Sequence, residues 1–383
     1  MQKRIWVAIA MTALVTQAAD AQRRGEVRRL WQREDNPGIA PTLTQPQTPV
    51  PTPSTINAPT NNALANHVFT VPGQGTFRCS GTLLYSQRHI LTAAHCVDGA
   101  TIGSMQVRFG PDRLAPSFTR TVSNTFVRQG YTGAVLEGRD IAIIELSSAV
   151  NIADARGFDI FTGNAVGQTS ELTGFGCQGT LAGGATNCGA TSRRYGFNRY
   201  DFRGTTAGAG NTAFQNINWG PGENPVASRE GILWMDNDFT SNTQTRTIND
   251  WAGTSRTVAQ HDASCYIQAS FCDNGLGLDE SGVAGGDSGG GGFLNGQIAS
   301  VNSFGAWAQP PGNPGLGPDL PDNNAFLDSS YGEYSGVVDV AYHADWIRGI
   351  VGPSVVVPEP STYALLATGL VAIGMLRRRR STK

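Results

Sequence analysis

Gly285-Gly286-Asp287-Ser288-Gly289-Gly290 sets one serine between pairs of glycines and directly after an aspartate. Glycines keep Cβ atoms away, so a substrate backbone can approach and successive N–H groups can turn toward one point. Ser288 Oγ in such a turn is placed to attack a carbonyl carbon. The Gly286 and Ser288 amides would then form the oxyanion hole. Alone, the run is one glycine-rich turn in a chain with 48 glycines among 383 residues. Its reading depends on partners elsewhere.

Those partners lie upstream. Cys79-Ser80-Gly81-Thr82-Leu83-Leu84 precedes Leu91-Thr92-Ala93-Ala94-His95-Cys96, and Arg139-Asp140-Ile141-Ala142-Ile143-Ile144-Glu145-Leu146 follows. In the order His, Asp, Ser, these blocks resemble the trypsin-like (chymotrypsin-fold) serine proteases. A serine hydroxyl is a weak nucleophile at neutral pH and needs a base within hydrogen-bond reach. The resemblance implies that His95 is that base and that Asp140 holds its tautomer, with Ser288 as nucleophile. It also implies an all-β fold of two antiparallel six-stranded β-barrels, a C-terminal helix, and an active site between the barrels. No cofactor is implied. The other histidines, His67, His89, His261 and His343, show no metal-ligand spacing, so no metal site is expected.

The pattern along the chain agrees with barrels. Short alternating runs at His67–Val71, Gln106–Phe109, Arg120–Val127 and Ile141–Leu146 fill the first half. Glu171–Phe175, Gly231–Met235, Gly292–Leu294, Ile298–Phe304 and Gly336–Val340 fill the second, with Gly, Asn, Asp and Pro between them. Tyr342, Trp346, Ile347, Ile350 and Val351 have helical spacing. A protease domain is expected over 63–352, its first barrel at about 63–160 and its second at about 161–352. The second half exceeds the family minimum, with the excess between about Gly179 and Ser264. A further Pro/Gly/Asp-rich insertion runs from Gln309 to Ser330.

Both ends read as addresses. Residues 1–21 have a charged start (Lys3, Arg4), an apolar stretch from Ile5 to Val15 and Ala19-Asp20-Ala21, as in a secretory signal peptide. Residues 353–383 contain Val357-Pro358-Glu359-Pro360, the apolar run Tyr363 to Met375, and Arg377-Arg378-Arg379-Arg380. This resembles the PEP-CTERM sorting signal of Gram-negative bacteria. That resemblance implies an exosortase-type sorting machinery as partner, transient retention in the inner membrane, and an envelope, surface or matrix destination. About 14 apolar residues are marginal for a ~30 Å hydrocarbon core, though a simple tail anchor stays open as an alternative. Between the ends, residues 22–62 form an Arg-rich and then Pro/Thr-rich leader, expected to be disordered. Whether it is a propeptide or a tether is left open.

Export accounts for six cysteines in an oxidising compartment. The family resemblance favours Cys79–Cys96, stapling the loop that carries His95. Cys177–Cys188 and Cys265–Cys272 are the local pairs by proximity. The full chain carries −2, and removing both ends, net +1 and net +4, leaves −7. Such an acidic chain, with no lysine outside those ends, argues against a nucleic-acid partner.

Counting back from Ser288 places the floor of the specificity pocket near Gly282, where trypsin keeps an aspartate. Ser303-Phe304-Gly305 resembles the family segment that pairs with substrate backbone and forms one wall, and Gly336 would form the other. A neutral floor between glycine walls favours a large apolar residue before the scissile bond. A two-residue shift would instead bring in Glu280 and favour Arg or Lys. The family's freed Ile-Val-Gly-Gly terminus, which pairs with the aspartate before the nucleophile, has no counterpart here for Asp287. The reading is an exported serine endopeptidase acting on protein or peptide substrates. Two alternatives remain: a silent surface or matrix binding protein on this fold, and a protease that mainly processes itself.

Overall fold

The computed structural model describes residues 62–181, 184–189, 191–204, 229–238, 264–267, 269–272, 275–276, 279–308, 329–330 and 332–353. It also describes strands at 25–29, 32–33, 42–44, 245–249 and 255–259. The expected signal peptide at 1–21, the expected sorting tail beyond 353 and most of the 309–330 insertion lie outside the described residues. Among the described residues, no helix is long and apolar enough to cross a membrane.

Three strands lie in the leader: β1 (Gly25–Arg29), β2 (Gln32–Arg33) and β3 (Thr42–Thr44). This corrects the expectation of disorder throughout 22–62. Each pairs with the body of the protein. Ladder formation uses backbone N–H and C=O groups, which a Pro/Thr-rich composition does not advertise.

The first sheet comprises β4 (Leu64–Val71), β5 (Gly75–Leu83), β6 (His89–Thr92), β7 (Gln106–Phe109), β8 (Phe118–Val127) and β9 (Ala142–Leu146). Its order is β5-β4-β7-β8-β9-β6, and β6 pairs back onto β5, so six strands close into a barrel. Alternation drives this: in β7, Val107 and Phe109 are buried while Gln106 is exposed. Leu64, Phe69, Leu83, Ile90, Val107, Ile143 and Leu146 fill the interior. The β4–β5 turn needs left-handed backbone at Gly73 (φ 76°) and Gly75 (φ 122°), which glycine adopts without strain.

The second sheet takes β10 (Thr169–Gly174), β13 (Arg194–Arg199), β14 (Phe202–Arg203), β15 (Ile232–Asp236), β18 (Gly291–Leu294), β19 (Gln297–Ala308) and β20 (Tyr334–Asp339). β11 (Cys177–Thr180) and β12 (Gly184–Asn187) form a hairpin beside it, and β16 (Thr245–Asn249) pairs with β17 (Ser255–Ala259). The order β13-β10-β18-β19-β20-β15-β14 makes a curled half-barrel. Its open side is bridged by a side chain: Asn198 Nδ2 donates to the Asp236 carbonyl at 2.8 Å and to the Ser281 carbonyl at 3.1 Å. This is the trypsin-like architecture implied by the resemblance, with the second sheet curled where a closed barrel was expected.

A short helix, α1 (Ala344–Val351), ends the described chain. Ile347 is fully buried and Trp346 and Ile350 pack against the same core, while Tyr342 just before it is exposed. Gly352 terminates the helix with φ 81°.

Candidate active site

The β6–β9 ladder sets the first half of the site. Its register pairs Thr92 with Ala142. That places the turn Ala94–Cys96, which begins two residues after Thr92, beside Asp140, which lies two residues before Ala142. A disulfide from Cys96 to Cys79 on β5 staples the turn, with Cα atoms 6.1 Å apart. Cys177–Cys188 and Cys265–Cys272 are bonded as well.

Asp140 is fully buried and accepts three hydrogen bonds. Its Oδ1 takes the His95 backbone N–H at 2.8 Å; Oδ2 takes His95 Nδ1–H at 2.6 Å and the Ser303 hydroxyl at 2.5 Å. Burial alone would raise this carboxyl. The charge on His95, the two side-chain bonds and the backbone bond outweigh it and hold Asp140 below the ordinary carboxylate range. With Nδ1–H committed to Asp140, His95 Nε2 faces Ser288 Oγ at 2.8 Å and accepts its proton in the hydrogen bond.

Ser288 sits in a tight turn. Asp287 N–H bonds to the Ala284 carbonyl and Gly290 N–H to the Asp287 carbonyl, both at 2.8 Å. Gly286 and Gly289 adopt φ 96° and 81°. At Gly289 a Cβ would lie 2.0 Å from Thr92 Oγ1 and 2.2 Å from the Ser80 carbonyl, so only glycine fits there. Neither the Gly286 nor the Ser288 amide donates within the protein among the described residues. Both are therefore unspent, as an oxyanion hole requires.

Asp287 points away from the cleft into a buried niche. Its Oδ1 accepts the Gly176 N–H at 2.8 Å and its Oδ2 the Ala284 N–H at 3.1 Å. Burial pushes its carboxyl well above the usual aspartate value, opposed by those amides and by the charges of Arg194 and Arg78. A Cβ on Gly174 would come within 1.9 Å of Oδ1. Backbone amides of Gly176 and Ala284 thus satisfy both carboxylate oxygens of Asp287.

The pocket residues fare unevenly. A Cβ on Gly282 would be 2.9 Å from both polar atoms of the Asn237 amide, so a neutral group lies against this position. Glu280 is diverted elsewhere: its Oε2 takes the Leu276 N–H at 2.7 Å, and its Oε1 takes the Asp238 N–H. Gly336 does not border open space. It pairs with Phe304, whose ring would lie 2.1 Å from a Cβ there. Gly305 pairs instead with Ser335, whose Oγ accepts the Val283 N–H at 3.3 Å. Ser303 serves Asp140 through its side chain.

Two residues without an assigned role in the sequence hold the turn in place. Ser80 N–H donates to the Ser288 carbonyl at 2.7 Å, and its hydroxyl bridges the Gly286 carbonyl (2.8 Å) and the Phe175 N–H (2.9 Å). Asn302 accepts the Gly289 N–H and donates from Nδ2 to the Thr173 and Asp287 carbonyls. The signal for Ser80 was its place between Cys79 and Gly81 in a quoted block; Asn302 had none. His67 lies beside Cys79 and Cys96, but those sulfurs are joined to each other and offer no thiolate to a metal.

Comparison with known proteins gives the following. Residues 55–220 match the Trypsin family, and residues 356–380 match the PEP-CTERM protein-sorting motif. Trypsin delta and Trypsin gamma of Drosophila erecta are each 26% identical over 164 residues, 38% of this chain and 64% of theirs. Trypsin beta of the same fly is 31% identical over 107 residues, 27% of this chain and 42% of its own. The chain therefore spans less than two thirds of the relatives it matches. Among solved structures, HL collagenase aligns over 76% of this chain and 94% of its own, with 17% identity and a TM-score of 0.45. Neuropsin from mouse brain aligns over 76% and 96%, with 17% identity and a TM-score of 0.43.

Proposed function

We propose, for a chain with a trypsin-like fold and a segment matching the Trypsin family, that it is an exported serine endopeptidase. The observation that carries this reading is the continuous hydrogen-bonded line Ser288 Oγ–His95 Nε2 and His95 Nδ1–Asp140 Oδ2. Ser288 Oγ attacks the carbonyl carbon of a peptide bond as its proton passes to His95 Nε2. The oxyanion is taken by the Gly286 and Ser288 amides. His95 then gives that proton to the departing amine, leaving an acyl group on Ser288. Water, deprotonated by His95, adds to the acyl carbon, and the proton returns to Ser288 Oγ as the carboxylate leaves. Asp140 stays ionised throughout and stabilises the imidazolium.

The C-terminal motif supports delivery across the inner membrane of a Gram-negative bacterium by an exosortase-type machinery, to the envelope or surface. The proposed protease domain of 63–352 carries the barrel sheets and the helix, and strands β1, β2 and β3 of the leader pair onto it. A fluorophosphonate probe on the oxidised chain, beside Ser288→Ala, tests the activity. Labelling that survives the substitution, or no labelling of any folded form, would remove the endopeptidase reading.

A further inference from the structure

Behind the disulfide that staples the His95 turn lies a second, fully buried histidine. His67 sits on β4, opposite Cys79 on β5 and Val107 on β7. Neither of its ring nitrogens makes a hydrogen bond among the described residues. The other described histidines each use a ring nitrogen: His89 toward Ser86, His95 toward Asp140 and Ser288, and His343 toward the Gly138 carbonyl. An imidazole taken out of water with both nitrogens unpaired is costly, and an aliphatic or phenyl side chain would fill the space without that cost. A ring nitrogen of His67 and the sulfurs of Cys79 and Cys96 all lie within 4.8 Å of one another.

Two cysteine sulfurs and one imidazole nitrogen are a donor set that holds zinc. Bonded to each other, the sulfurs offer no thiolate; reduced, they offer two. Two thiolates and one divalent cation sum to zero charge, so an apolar interior tolerates the complex where it rejects bare thiolates. Phe69, Ile90, Leu91 and Val107 of the first core supply that interior. Tetrahedral bonds of about 2.3 Å to sulfur and about 2.0 Å to nitrogen set the ligand atoms roughly 3.5–3.8 Å apart. With the cysteine Cα atoms 6.1 Å apart, side-chain rotation reaches that spacing once the S–S bond is open.

We infer that, when Cys79–Cys96 is reduced, the two sulfurs and His67 bind one zinc ion, which takes over as the staple of the turn carrying His95. A dithiol reductant gives two electrons and two protons to the S–S bond and leaves as a disulfide. Zinc(II) then displaces both thiol protons to water. It accepts a lone pair from each sulfur and from one His67 nitrogen, with water in the fourth position. No electron moves in this second step. The disulfide ties the turn to β5 alone, whereas the zinc ties it to β4 as well.

Alkylation by N-ethylmaleimide, read cysteine by cysteine by mass spectrometry, tests this on the folded full chain reduced with a water-soluble phosphine. With one equivalent of zinc, Cys79 and Cys96 are expected to react at least about tenfold more slowly than without it. The reduced chain is also expected to melt at a higher temperature when zinc is present. His67→Phe is expected to lose the protection of this pair while Cys177, Cys188, Cys265 and Cys272 react as in the wild type. His67→Gln, which keeps a polar side chain, takes its place if the phenyl ring prevents folding. Undiminished reaction at either Cys79 or Cys96 in zinc overturns the inference. So does protection that persists in the histidine variant, or a Cys79–Cys96 bond that the phosphine cannot open in the folded chain. None of these outcomes depends on peptide hydrolysis, so the endopeptidase reading is tested separately by the Ser288 probe.

Discussion

The Ser80 hydroxyl donates to the Gly286 carbonyl at 2.8 Å, tying a strand of the first barrel to the turn that carries Ser288. The same oxygen accepts the Phe175 N–H, so one small side chain satisfies two backbone groups that are otherwise buried. Ser80→Ala should leave both unpaired, at about 1–3 kcal/mol of stability. Because the Gly286 peptide belongs to the proposed oxyanion site, kcat should fall about 10- to 100-fold with KM little changed. Steady-state kinetics on a small peptide ester, paired with a melting curve, separates the two effects.

Asp140→Asn should retain the fold and lower kcat by about 10⁴, because an amide accepts less well from Nδ1–H and admits the wrong imidazole tautomer. Ser303→Ala removes one of the donors to Asp140 and should cost far less, about 5- to 10-fold. Equal losses in the two variants would mean that Ser303 does more than support the carboxylate.

Gly174→Ala tests the niche around Asp287. A methyl within 1.9 Å of Oδ1 cannot be accommodated unless the carboxylate moves, and with it the turn. A loss of about 3 kcal/mol is expected, together with loss of probe labelling. Labelling at the wild-type rate would show that the turn does not depend on the placement of Asp287.

Stability should decline on mild acidification. His67 is depressed to about 3 by burial and the His95 charge, and His343 to about 4, chiefly by burial. Unfolded, each titrates near pH 6.5, so below that the unfolded chain binds more protons and folding weakens as pH falls. Each can add a slope of up to about 1.4 kcal/mol per pH unit between roughly pH 6 and 4. Asp287 acts in the opposite sense, since its raised carboxyl takes a proton in the folded state first. Urea denaturation across that range should show the decline, shallower in His343→Gln.

The triad residues were legible because their chemistry is written in short local strings, and the strands because alternation needs no partner information. Burial parity was harder. A register shift between Asn302 and Phe304 changes which face follows, and a one-residue slip exchanges the two faces. Beyond that shift Gly336 pairs with Phe304 and lies against its ring. The leader strands were illegible for a different reason. Their pairing is made by backbone across large sequence separations, leaving no compositional trace. Ser80 and Asn302 act through carbonyls and amides of residues far along the chain, so no spacing rule points to them.

His95 and Ser288 meet across 193 positions of chain. During synthesis the ribosome holds the strands that bed Ser288 apart from those that carry His95. Contacts of such separation form late and slowly in folding. The Ser288–His95 hydrogen bond therefore dates from the docking of the last strand, and on the proposed reading so does hydrolytic competence.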